Sequence, residues 1–79
     1  MGNKIKPPFP PGCPVIYDPQ YKGMSKEQKK LKGQLMFYLT DIPDPETGYS
    51  SGHCIVVHDE KILQMIHTVD LRKATDKEF

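Results

Sequence analysis

His53-Cys54-Ile55-Val56-Val57-His58-Asp59-Glu60-Lys61-Ile62-Leu63-Gln64-Met65-Ile66-His67 sets two apolar-rich runs of six residues on either side of one polar tripeptide. Runs of this length, rich in β-branched residues and joined by a linker too short for anything but a reversal, predict a β-hairpin with strands at 53–58 and 62–67. Immediately upstream, Asp41-Ile42-Pro43-Asp44-Pro45-Glu46-Thr47-Gly48-Tyr49-Ser50-Ser51-Gly52 is dense in turn formers and predicts a loop of about a dozen residues, longer than most connections. Before it, Gln34-Leu35-Met36-Phe37-Tyr38-Leu39-Thr40 predicts another strand. Its alternation is imperfect, so both of its faces are expected to be covered.

Continuing toward the N-terminus, Gly33 closes a polar stretch, 18–32, in which Ser25 and Gln28 have the spacing of a capping box. One or two helical turns are predicted there, over Lys26–Lys32. Val15-Ile16-Tyr17 predicts a short first strand, stopped by the Asp18-Pro19 turn pair. Residues 1–14 hold five of the eight prolines, and proline fixes φ while removing an amide donor. That segment is predicted to be an extended, disordered arm of polyproline-II character, dispensable for folding through residue 12. Downstream of the hairpin, Thr68-Val69-Asp70-Leu71 predicts a tight turn and Leu71–Ala74 a closing strand. Residues 75–79 are expected to fray. The domain proper is thus expected at 15–74, with a core of Val15, Leu35, Phe37, Leu39, Val56, Leu63 and Met65, and Ile55 or Val57 covered on the second face. Truncating Phe37 or Leu63 to alanine is expected to cost about 2–5 kcal/mol.

Composition narrows the function. Leu, Ile, Val and Phe supply 18 of the 79 residues, slightly above the roughly 20% at which charged chains tend to remain unfolded. One small domain with a modest core follows. The net charge is +1, so whole-molecule attraction to nucleic acid or to an anionic membrane is weak, and an electrostatic partner has to be met by a local patch. The sequence holds no apolar run approaching the ~20 residues a membrane helix needs, nor an apolar signal-peptide core. Met1-Gly2 is followed by Lys6 where a myristoylation motif has Ser or Thr. A soluble, cytoplasmic chain with two reduced, buried thiols, Cys13 and Cys54, is expected.

The order of elements, short strand, long polar loop, strand, second long loop, strand, tight hairpin, strand, one-turn helix and last strand, resembles the small SH3-like β-barrel with its KOW and Tudor-type relatives. The resemblance covers about residues 13–74 and is architectural: the chain has no Trp and no Ala-Leu-Tyr-Asp-Tyr run. It implies a mainly β, five-stranded barrel whose two long loops, 18–32 and 41–52, gather at one side. Closure of the sheet is also what burial of the large apolar residues favours. The alternative is an α+β fold with Ser25–Lys32 packed as a helix on a three-stranded sheet, although Leu31 is the one residue this helix has to bury.

Candidate chemistry is sparse. Cys13, His53, Cys54, His58 and His67 are of zinc-ligand type, but Cys54 and His58 lie four apart on one predicted strand, some 13 Å by strand rise, too far for one ion. His53 and Cys54, being neighbours, face opposite ways. Cys54 would oppose His67 if the hairpin turn were Glu60-Lys61, the only arrangement with a thiol–imidazole pair. Asp41, Asp44 and Glu46 lack the spacing of a calcium loop. No metal, cofactor or catalytic residue is therefore assigned. Two surfaces remain. The second loop offers Tyr49 and Ile42 as apolar anchors, Asp44 and Glu46 on their rim, and Tyr38 on the strand leading in, an arrangement suited to a protein partner. The first loop offers Lys22, Lys26, Lys29, Lys30 and Lys32 against Glu27 alone, suited to phosphates or an acidic surface. Lys4-Ile5-Lys6-Pro7-Pro8-Phe9-Pro10 also has the form of an SH3-domain ligand. The expectation is a non-enzymatic binding module or regulator that docks on a protein. Nucleic-acid binding through the lysine loop is the alternative, and a metal- or thiol-dependent enzyme comes last.

Overall fold

Among the described residues, five strands alternate with turns whose chemistry is local. The computed structural model describes residues 9–78. The strands are β1 (Pro14–Tyr17), β2 (Leu35–Pro43), β3 (Ser50–His58), β4 (Lys61–His67) and β5 (Leu71–Lys73), with one α-helix, α1 (Lys26–Leu31), and a 3-10 turn at Thr68–Asp70. All pairings are antiparallel and the sheet order is β4-β3-β2-β1-β5. The protein is mainly β, as expected. The sheet is not closed: no ladder joins β4 to β5 among the described residues. The part of the proline arm before Phe9, including Lys4–Pro8 of the SH3-ligand pattern, lies outside the described residues.

The capping box forms as the spacing dictates. Ser25 Oγ accepts from the Gln28 amide, and Gln28 Oε1 accepts from the Ser25 amide at 2.8 Å. Helix α1 is one and a half turns long and buries no residue fully; Leu31 alone packs against the core, so it is no layer of an α+β fold. Gly33, with φ +83°, turns the chain into β2 while its amide donates to the Tyr17 carbonyl, a backbone conformation L-residues resist.

The hairpin turn is Asp59-Glu60, with φ of +51° and +64°, as a two-residue turn matching strand twist requires. That turn together with a one-residue shift between Val56 and Cys54 sets His53 opposite His67 and Cys54 opposite Ile66, so the expected Cys54–His67 pair does not form. An extra residue bulges from β4 between the Ile66 and Leu63 pairings, and Met65 sits there at φ +63°. A second bulge interrupts β2 between Tyr38 and Thr40.

Pairing also decides which side of β2 faces in. Cys13, Val15, Tyr17, Met36, Tyr38, Cys54, Val56 and Leu71 form one buried cluster, flanked by Phe9, Leu31, Leu63 and Ile66. The expected core is half right: Val15 and Val56 are buried and Leu63 packs on the cluster, whereas Met36 and Tyr38 occupy the place assigned to Leu35, Phe37 and Leu39. Phe37 is 41% and Met65 60% exposed. Residues 9–13 dock rather than hang free. The Phe9 ring lies 5.6 Å from that of Tyr38, and the Gly12 amide donates to the Tyr38 carbonyl. At the other end Arg72 holds Glu78 with two hydrogen bonds and Asp18 with a third, so 75–78 make an anchored turn where fraying is expected.

Candidate functional site

The second loop is shorter than its composition indicates, because pairing extends β2 to Pro43 and starts β3 at Ser50. Six residues, 44–49, remain. Asp44 organises them: its amide donates to the Tyr49 carbonyl at 2.7 Å, its carbonyl accepts from Gly48, and its Oδ1 accepts from the Glu46 amide at 2.8 Å. The Tyr49 amide donates to Thr47 Oγ1, and Ser51 Oγ donates to the Ile42 carbonyl at 2.6 Å. These bonds offset the entropy of ordering the turn and leave the Tyr49 ring exposed at its end. Ile42 is half-buried, Glu46 exposed and Asp44 half-buried. Tyr38 does not belong to this surface: it is fully buried in the core. Strand parity explains it, since Tyr38 opposes Val56 on the inward face.

The core that holds Tyr38 also contains buried polar atoms. Tyr38 Oη, Asp41 Oδ1 and Thr68 Oγ1 are buried without a hydrogen-bond partner among the described residues. Burial, with the Asp41 carboxylate and Cys54 adding to it, pushes the Tyr38 phenol up to about 12. Burial also raises the Cys54 thiol; Asp41 adds to the rise and the neighbouring Thr68 hydroxyl opposes it. A thiol so placed stays protonated, the opposite of an activated nucleophile. No three His, Cys, Asp or Glu side chains among the described residues gather in a metal-binding group.

The lysines of the first loop lie at the surface. Lys22, Lys26, Lys29, Lys30 and Lys32 are all exposed, and the ion pairs found among the described residues engage Arg72 instead. Tyr21 Oη accepts from Gln28 Nε2, tying the start of the loop to α1. Burial raises the Tyr17 phenol, with a hydrogen bond to Gln28 acting against it. No helix among the described residues is long and apolar enough to cross a membrane.

Sequence reasoning missed a third surface. By register, Phe37, Val57 and Ile62 stand in one row across β2, β3 and β4 on the face turned away from the core. His53 and His67 pair at the far end of that face, ring centroids 4.5 Å apart. The clue was available in the absence of charged residues from alternate positions of these runs, but apolar residues at both parities had suggested two covered faces. Compared with family models, curated proteins and solved structures, the chain matches none.

Proposed function

We propose that this chain is a small, non-enzymatic binding module of SH3-like barrel type that docks on a protein partner through the 44–49 turn and modulates it. The element order, the 3-10 turn between β4 and β5, and the return of β5 to the side of β1 support the architectural reading. The observation that carries the functional one is the Tyr49 ring. It is exposed at the C-terminal end of a turn closed by its own hydrogen bonds, so an aromatic anchor is presented with little left to order on binding. Ile42 supplies adjoining apolar surface and Glu46 a polar rim, while Asp44 acts as the organiser of the turn.

Tyr49→Ala is expected to weaken capture of the partner from native extract by more than about 1 kcal/mol while the urea midpoint stays within experimental error. A variant that loses stability yet binds with unchanged affinity would make the tyrosine structural. The second reading, phosphate binding by the first loop, is favoured by five exposed lysines on a capped helix and its flanks. Replacing Lys26, Lys29 and Lys30 together with Gln separates the two. A larger loss than Tyr49→Ala, with a flatter dependence of log affinity on log salt, would move the site to the lysine loop and make the ligand a nucleic acid.

A further inference from the structure

Among the described residues, Phe37 and Ile62 on the outward face of β2, β3 and β4 are left exposed. Phe37 and Ile62, 41% and 63% exposed, flank Val57 in one cross-strand row, and Ile55 and Met65 continue the apolar surface toward the histidine pair. Among the outward positions of these three strands there is no Lys, Arg, Asp or Glu, although 27% of the chain is charged. Asp41, the one acidic residue in β2, pairs with Cys54 on the inward side.

From these observations we infer that this face is the contact between two copies of the chain, packed sheet against sheet about a two-fold axis. The charge pattern selects a second copy as the occupant. In a two-fold contact each residue near the axis meets its own kind, so a charged centre repels itself and an uncharged apolar one does not. The net charge of +1 adds almost no long-range repulsion between copies. Three strands at ~4.8 Å spacing and about seven residues at ~3.3 Å rise make a platform of roughly 15 by 23 Å. With side-chain relief that is on the order of 500–600 Å² per copy, at the lower limit of specific interfaces, so the association is tested up to millimolar concentration. Pairing edge to edge through β4 is disfavoured, because the bulge at Met65 breaks the regular row of amides and carbonyls that an added strand would need. The inference goes beyond the docking role of Tyr49 and does not depend on it; Ile42, at the border of this face, is the one residue common to both.

Sedimentation equilibrium of the full chain from 1 µM to 1 mM tests it. The weight-average mass is expected to rise from 9.0 kDa toward about twice that value. Ile62→Lys and Phe37→Lys should each weaken association at least tenfold, with far-UV circular dichroism and urea midpoint showing that the fold persists. Ile62→Thr is the milder variant should either lysine unfold the chain. Val69→Lys, at an exposed position in the 3-10 turn outside the β2–β3–β4 ladder, should leave the dimer unchanged. A mass that stays at the monomer value up to 1 mM overturns the inference, including the case in which the face captures a different protein. So does a dimer whose constant is insensitive to residues 37 and 62.

Discussion

Replacing Met36 and Met65 with alanine, one at a time, compares one side chain at two ends of the burial scale. Both residues lie in strands and the sequence offers no local reason to separate them. Met36 is fully buried in the core cluster, whereas Met65 is 60% exposed on the bulge of β4. At Met36 the substitution removes the whole transfer free energy of a buried thioether chain, about 1.5–3 kcal/mol, and leaves a cavity, for a total of about 2–5 kcal/mol. At Met65 less than half of the side chain is out of water and no cavity forms, so the loss stays below about 1 kcal/mol. For a domain of this size each kcal/mol is worth roughly 4–8 °C in Tm, which puts Met36→Ala at least 8 °C below the parent and leaves Met65→Ala within a few degrees of it. Met65→Gly should go further and stabilise, because a glycine accepts φ +63° without the strain that a β-carbon brings. The assay is urea and thermal unfolding followed by far-UV circular dichroism, the chain having no tryptophan. Equal losses at the two positions, or a larger loss at Met65, would refute the inward assignment of Met36 and with it the register of β2 against β3.

Two further outcomes concern titrating groups. The two hydrogen bonds from Arg72, followed by that from the Thr75 amide, lower the Glu78 carboxyl from 4.5 to about 2. A carboxyl depressed in the folded state stabilises above its unfolded pKa and loses that contribution as pH falls through the folded value. The C-terminal turn should therefore hold at pH 5 and release between pH 4.5 and about 2. Arg72→Gln should move the Glu78 titration, followed by carboxyl-carbon NMR, upward toward the usual carboxylate range, the Thr75 bond still holding it somewhat below; an unmoved titration would show that the pair does not form in solution. Cys13 and Cys54 are both free and buried, and burial raises the Cys54 thiol. Both should react with a thiol reagent at least a hundredfold more slowly in the native protein than in 8 M urea. Fast labelling of one thiol without unfolding would contradict the packing around it.

What the sequence determined by itself was whatever rests on neighbours a few residues apart. The Asp59-Glu60 reversal, the Ser25–Gln28 capping box, the stop at Gly33 and the 3-10 turn after His67 all depend on local torsional preference or on a hydrogen bond spanning three residues. All of them formed within a residue or so of the expected place. The lysines of the first loop were legible for the same reason, since a charged run on a short polar helix has nowhere to go but the surface. Tertiary structure decided the rest. Leu35, Phe37 and Leu39 are as apolar as Met36 and Tyr38, so a period of two admitted either side as the core, and only pairing of Tyr38 with Val56 chose. Pairing likewise drew Asp41–Pro43 and Ser50–Gly52, turn-forming by composition, into strands, and shortened the second loop to six residues. It took Tyr38 out of the candidate surface and set His53, rather than Cys54, opposite His67. A one-residue change in turn or bulge moves every side chain beyond it to the other face, and such changes are settled by contacts between strands distant in sequence.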